Sequence, residues 1–436
     1  MTPFEIGIIA ILALVLLILI GMPIGVGMLA MSFAGVAFIR NETVSVRMMT
    51  QVANDSLEEY LFAVVPLFVL MGLLVTVSGV GKDTFDVFQK LLRRIMAGLG
   101  VATVFANAVF AAITGISIAS ATVFSRIAVP EMRRHGYTNR FATGVVAGSS
   151  VLGMLIPPSL LMIVYAVLAE QSVGRMFLAG VGPGLLLAIA FTVTILLLAT
   201  LRRDFVFERG ETISESDIGF VDVLRKAVPI VSLMVLVLGG LYGGFLNPTE
   251  AGAAGAFGAL VIALLRRSLD KSTFWRLLVE TGQITVSVLF LILAATFFSR
   301  MLALSGVPRE LAEFFLSGSI GPYGFLLAYI LLIVALGCLI DSISIMLIVL
   351  PIALPVAEAA GLDLIWFGVI TVIAVEIGLL TPPFGLSVYT IKSAMDDPDL
   401  KVGEIFRGAV PFICAMLATL AIIILFPSVA TWLARF

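Results

Sequence analysis

Apolar runs long enough to approach or cross a bilayer follow one another along the chain, separated by short polar segments. Residues 6–20 and 24–39 read as two crossings joined by a tight turn at Gly21-Met22-Pro23. A polar stretch, 40–60, reads as a loop before a third crossing at 61–79, and 82–96 alternates charged and apolar positions as an interfacial amphipathic helix does. Residues 97–131 differ. The limb from Ala119 to Pro130 has roughly a dozen residues, about 18 Å of helix against about 30 Å of hydrocarbon, which predicts a re-entrant hairpin with its tip at 114–120. A crossing at 141–168 and another at 176–200 follow. Beyond a basic linker, 201–226, the pattern predicts crossings near 228–246, 249–265 and 279–304, a hairpin near 321–356, a crossing near 364–391 and a last one at 408–433.

The pattern is written twice. Gly153-Met154-Leu155-Ile156-Pro157-Pro158 returns 225 positions later as Gly378-Leu379-Leu380-Thr381-Pro382-Pro383, and at the same offset Pro23 falls on Pro248, Ser117 on Ser342, Pro130 on Pro355 and Gly136 on Gly361. Adjacent prolines remove backbone donors and keep the preceding residue out of helical geometry, so each copy holds a helix broken inside a membrane-length segment. In lipid such a break is tolerated only inside protein or beside a cavity. Five crossings plus one hairpin per copy is an odd number, which predicts copies of opposite orientation. Charge agrees: with both termini outside, the inner loops hold 19 Lys and Arg and the outer ones six, with Arg126 inside a hairpin limb.

The fold class expected is therefore an all-α polytopic membrane protein of two inverted-topology repeats, 1–200 and 227–436. Within the first, 1–80 would form a scaffold, 82–96 an arm helix and 97–185 a hairpin with its broken helix. Within the second, 227–304 would be scaffold, and 305–395 hairpin and broken helix. Composition narrows the alternatives: 61% of the 436 residues are hydrophobic and 12% charged, too little polar surface for a soluble globule. Cys338 and Cys414 lie in apolar runs, as buried small hydrophobes do, and the single His135 has no partners for a metal site or for catalysis. A net charge of −2 gives no hint of a nucleic-acid partner. The N-terminus lacks a basic segment before its first apolar run, which is read as a permanent span.

Candidate chemistry gathers at the breaks. Broken helix ends offer carbonyls to a cation and N-terminal dipoles to an anion. In the first copy the candidates are Thr114, Ser117 and Ser120 at the hairpin tip, facing Gly148, Ser149, Ser150 and the run Gly153 to Pro158; in the second they are Gly337, Asp341, Ser342 and Ser344, facing Glu376, Gly378 and Thr381 to Pro383. Hydroxyls and carbonyls make a hard-oxygen site suited to Na⁺. Packing of small residues between helices is the competing explanation for any one of them. Asp341 and Glu376 are carboxylates in apolar surroundings, and Ile116 and Val151 stand at the corresponding positions of the first copy. Arg126 is expected to reach toward the cytoplasm, and Glu250 to cap the helix that begins at Pro248.

Several runs now resemble one family: Ile127-Ala128-Val129-Pro130-Glu131-Met132, Gly153 to Ser159, Phe177-Leu178-Ala179-Gly180 with Pro183-Gly184, Asn247-Pro248-Thr249-Glu250-Ala251, and Ile377 to Pro383 with Gly385-Leu386. They are similar to the large membrane subunit of tripartite ATP-independent periplasmic (TRAP) transporters, over essentially the whole chain. The resemblance implies Na⁺-coupled uptake of an organic acid by an elevator motion in the bacterial inner membrane, with no cofactor beyond the coupling ion. It implies two partners, a small four-helix membrane subunit and a periplasmic solute-binding protein. It places one cation at Ser117, Gly153, Ile156 and Pro158 and a second at Gly337, Gly378 and Thr381, to which the carboxylate of Asp341 is added. Substrate contacts are expected from Thr114, Ser120, Ser150, Pro157, Ser342, Ser344 and Pro382. Ile116, Ile118 and Arg126 depart from the small residues usual in that limb. A stand-alone ion-coupled carrier would share these features, whereas an intramembrane hydrolase would need a Ser/His, paired-Asp or HExxH constellation that the sequence does not supply. Twofold inversion suits alternating access better than a channel.

Overall fold

Helix ends fall where the sequence supplies a cap or a breaker. In the computed structural model, which describes residues 1–208, 219–317 and 321–435, the first two apolar runs are helices Pro3–Leu19 and Ile24–Ile39. A reciprocal capping box of Asn247 and Glu250, both bonds 2.9 Å, starts Pro248–Leu265, so Glu250 caps that helix as expected. Among the described residues every regular element is helical. Five helices are long and apolar enough to cross a bilayer, or seven if each of two bent pairs is one span. Five further apolar helices, such as Gly98–Thr114 and Leu364–Leu380 with 17 residues each, reach about 25 Å, just under a typical hydrocarbon core.

Helix boundaries keep the 225-residue spacing through most of each half. Ser117–Arg134 and Ser342–Ala359 start 225 apart and have 18 residues each. Val173–Leu201 and Val402–Leu425 close the two halves. Both proline pairs interrupt helices. Asn139–Leu155 and Leu160–Leu168 meet at a 42° bend around Pro157-Pro158, and Leu364–Leu380 is separated from Leu386–Met395 by Pro382-Pro383; both Pro-Pro bonds are cis.

Four expectations change. The stretch 40–60 is mostly helix, Glu42–Glu58, started by Asn41, whose side chain accepts the Val44 amide at 2.8 Å; its polar surface concealed the helical period. The limb expected from Ala119 to Pro130 runs from Ser117 to Arg134 straight through Pro130, so its length alone does not forbid a crossing. What makes it a hairpin limb is the two-residue connection from Gly98–Thr114, where Gly115 takes φ +65°. The crossing at 279–304 belongs to one 35-residue helix, Lys271–Ser305, because Asp270 caps it about two and a half turns upstream of the apolar run. An amphipathic helix, Val307–Ser317, follows it, at the position that matches the arm helix Val80–Leu92 of the first half. The linker splits into a short helical turn at Arg203–Val206 and the start of Phe220–Met234; its residues 209–218, like 318–320 beside the second hairpin, lie outside the described residues.

The halves interlock. Asn139–Ser150 packs on Val402–Leu425 so tightly that a Cβ on Gly144 would run into the backbone carbonyl of Gly408. Ion pairs add to this at one end: Asp83 and Asp86 of the arm helix meet Arg266 and Lys226, each at 2.5 Å, and Arg133 meets Asp397 at 2.7 Å. The Arg133 guanidinium, through that hydrogen bond, holds the Asp397 carboxyl below its ordinary value of 3.8. A lowered folded value means that this contribution is complete above pH 3.8 and disappears as pH falls through the folded value. Asp397→Asn is therefore expected to lower Tm slightly at neutral pH and to flatten the fall in Tm below about pH 4. Thermal unfolding of both proteins from about pH 6 to pH 3 checks this, and identical acid limbs in the two would refute it.

Candidate functional site

Each broken helix packs against the hairpin of its own half, the first at its proline pair and the second about a turn before it, and the two junctions are built differently. In the first, Ser159 bridges the break: its hydroxyl donates to the Met154 carbonyl at 2.5 Å and accepts the Met162 amide at 3.3 Å. The amide of Leu160 donates to the carbonyl of Gly115 at the hairpin tip, 3.3 Å away. A Cβ on Gly153 would lie 3.1 Å from the Ser117 nitrogen and 3.2 Å from the Ile116 carbonyl carbon, and one on Gly115 would strike the Pro158 carbonyl oxygen. Ser117, Gly153 and Pro158 are thus gathered around one tip. Ile156 is half-buried, and its side chain points at Gly184 of helix Val173–Leu201. Pro157 is buried beside it.

A polar network that the sequence analysis did not include supports this tip. Asn107, wholly buried in Gly98–Thr114, donates to Ser149 Oγ at 2.5 Å and accepts from Ser120 Oγ at 2.7 Å. It joins both hairpin limbs to helix Asn139–Ser150. Its signal was a lone amide in an apolar run, which must find partners when buried. Thr114 and Ser150 turn their hydroxyls back on their own helices, to Phe110 and Ala147 carbonyls, both at 2.9 Å.

The second junction is open where the first is closed. Gly337, the last residue of Gly321–Gly337, touches Gly378 backbone to backbone: a Cβ on either would lie 2.7 or 2.6 Å from the other's Cα. Thr381 folds back on Leu364–Leu380, its amide donating to the Gly378 carbonyl at 3.0 Å and its hydroxyl to the Ile377 carbonyl at 2.7 Å. Pro382, Pro383 and Phe384 are exposed, and Phe384 stands where the first half has the bridging Ser159. The Asp341 carboxylate caps Ser342–Ala359, accepting the Ser344 amide at 3.1 Å and the Ser344 hydroxyl at 2.5 Å. Ser342 is buried at the start of that helix.

Glu376 connects the junctions. It is wholly buried in the last turn and a half of Leu364–Leu380, and its Oε1 accepts from the Ser117 hydroxyl of the other half at 3.5 Å. Arg126 lies outside both junctions, its Nε donating to the Ala394 carbonyl at 3.2 Å near the end of Leu386–Met395, where a cation suits the helix dipole. Hard oxygens from hydroxyls, carboxylates and broken-helix backbone are what a monovalent cation takes as ligands, and an orphaned buried carboxylate oxygen on Glu376 fits such an occupant.

The profile of a family described as the DctM component of the tripartite ATP-independent periplasmic transporter matches residues 11–429. The C4-dicarboxylate TRAP transporter large permease protein DctM of Pseudomonas aeruginosa is 34% identical over 387 residues, 88% of this chain and 89% of that one. This chain belongs to the TRAP transporter large permeases. The sialic acid TRAP transporter large permease SiaM of Vibrio cholerae is 30% identical over 413 residues, 94% of each chain, and the ectoine/5-hydroxyectoine permease UehC of Ruegeria pomeroyi 30% over 424, 97% of each. In fold the permease also resembles the Alcanivorax borkumensis YdaH transporter, with a TM-score of 0.54 at 13% identity over 85% of this chain and 86% of that one. It is a multi-pass membrane protein and a transporter subunit, as its relatives are, and not an enzyme.

Backbone contact at Gly337 and Gly378 makes a direct expectation for this permease. Gly378→Ala forces the hairpin limb and broken helix apart at a cost of about 1–3 kcal/mol, whereas Gly403→Ala, with no heavy atom within 4 Å of the added carbon, leaves Tm unchanged. Thermal unfolding of the two purified variants decides it; equal Tm values would mean that the contact is not tight.

Proposed function

We propose that this permease is the transmembrane subunit of a Na⁺-coupled, binding-protein-dependent secondary importer of small organic acids, working by an elevator motion. Substrate would be a dicarboxylate, a sugar acid or a similar carboxylate. The observation that carries the reading is the pairing of two helix breaks, 225 residues apart, each lodged against a hairpin. Interrupted helices in corresponding halves mark the binding region of secondary transporters, and the half-site oxygens are suited to Na⁺. The printed names of relatives, which include C4-dicarboxylate, sialic acid and ectoine TRAP permeases, support small polar metabolites as the substrate class.

In this reading the halves are inverted repeats. The excess of Lys and Arg places both termini on the periplasmic side of the inner membrane. The hairpins and broken helices move as one body, held by the Asn107 network and the Gly337–Gly378 contact, against the first three crossings of each half. Na⁺ would be held by Ser117, Gly153, Ile156 and Pro158 at the first junction, and by Gly337, Gly378 and Thr381 at the second. Asp341, whose carboxylate also caps the hairpin helix through Ser344, joins the second set. The cation supplies positive charge that offsets a substrate carboxylate. Substrate meets the exposed second break near Pro382, together with Ser342 and Ser344 of the neighbouring hairpin helix. Thr114, Ser120, Ser150 and Pro157 shape the closed first junction. A small four-helix membrane subunit and a periplasmic solute-binding protein complete the system.

The test is uptake of a panel of labelled organic acids into liposomes holding this chain with its small subunit, with and without a Na⁺ gradient and with and without the binding protein. Uptake that requires both is expected, at least about tenfold above either omission. Robust uptake without binding protein would leave a stand-alone carrier instead.

A further inference from the structure

Glu376 is ionisable, wholly buried and almost unpartnered. Its Oε2 has no hydrogen-bond partner, and Oε1 has only the Ser117 hydroxyl at 3.5 Å, the long limit of such a bond. A carboxylate in an apolar interior is costly unless paired, and a bare buried carboxylate oxygen is where a ligand can supply the missing partner. Helix capping does not account for it. Ser117–Arg134 has no side-chain cap, yet Glu376 accepts none of the free amides at that helix start; the matching helix Ser342–Ala359 is capped from its own chain neighbour, Asp341. Nor does internal symmetry demand a carboxylate, since Val151 holds the corresponding place in the first half.

We propose that Glu376 is an anionic ligand of a monovalent cation shared between the halves at the tip of the first hairpin. The ion would bring together the Glu376 carboxylate of the second half and the Ser117 hydroxyl of the first, beside the close backbone approach of Gly153. One carboxylate among neutral oxygens matches a single positive charge. Divalent hard cations gather more carboxylates, and no group of three or more His, Cys, Asp or Glu that could hold a metal occurs among the described residues. Because its ligands come from both halves, the ion fastens the first hairpin to the second broken helix. Its loading therefore reports that the moving body is assembled.

The inference rests on the Na⁺-coupled reading, and the experiment separates the two. The complex of this chain with its small subunit is purified. Na⁺-induced change in Tm, with choline holding ionic strength constant, and the Na⁺ half-saturation of uptake in liposomes are measured for wild type and Glu376→Gln. Glutamine keeps the shape and removes the charge. The variant is expected to match or exceed the wild-type Tm in choline, since an unpartnered buried acid is gone, while its Na⁺ half-saturation in both assays rises by at least about tenfold. If Glu376→Gln does not fold, Glu376→Asp decides: a carboxylate one methylene short raises the half-saturation if it is a ligand and leaves it unchanged if it only fills space. A wild type with no Na⁺ response defeats the Na⁺-coupled reading. A wild type that responds, with the folded variant matching it, defeats the role of Glu376 alone.

Discussion

A main-chain amide or carbonyl released by an unwound helix has no partner in hydrocarbon, and that single fact governs how the rest of this molecule is built. Each proline pair frees such groups in the middle of an apolar helix. The first break is closed from within: Ser159 spans it, and the hairpin tip at Gly115 receives the amide of Leu160. Those bonds require the tip to lie directly against the break, which explains why Gly115 cannot carry a side chain without collision and why one on Gly153 would be crowded. A hairpin here is thus the structural complement of a broken helix. Neither could sit in the membrane without the other.

The second break answers the same demand in another way. Phe384 replaces the bridging serine, Pro382 and Pro383 are exposed, and Thr381 satisfies only its own side of the break. Backbone groups left unpaired by protein need water, a ligand or a partner surface, so the second break belongs at a cavity and the first in the packed interior. The two breaks differ in this respect, and the difference gives the molecule a closed junction and an accessible one.

Much of this was legible in the sequence because prolines and glycines act locally. Both broken helices, their 225-residue spacing and the cap at Glu250 follow from residues whose backbone consequences are fixed wherever they occur. Helices with little apolar periodicity, such as Glu42–Glu58, were not legible, because their stability comes from an end cap and from neighbours. Helix Ser117–Arg134 passing through Pro130 shows the reverse: packing overrode a breaker. At the candidate site the residue types were readable and their directions were not. Asp341 and Glu376 looked equivalent as carboxylates in apolar runs, yet one turns to its own helix start and the other toward the opposite half of the chain. Asn107 was visible as a single amide among apolar residues, but its partners Ser120 and Ser149 lie 13 and 42 positions away.

These directions bear on how two halves can move together. Tight contacts between small residues, such as Gly337 with Gly378, fix neighbouring elements within one half but carry no preference for a loaded over an empty state. A preference needs an interaction whose energy changes when a ligand arrives. Hydroxyls already bonded within their own helices, as at Thr114 and Ser150, change little. A buried carboxylate oxygen with no partner changes a great deal, because a cation beside it converts an expense into an attraction. Placing that oxygen on a helix of the second half, within reach of the first hairpin's Ser117, would tie occupancy by the proposed ion to the relative position of elements from both halves. Ion occupancy could not be sensed across the halves in this way if the charge belonged to the same hairpin as the hydroxyl it faces.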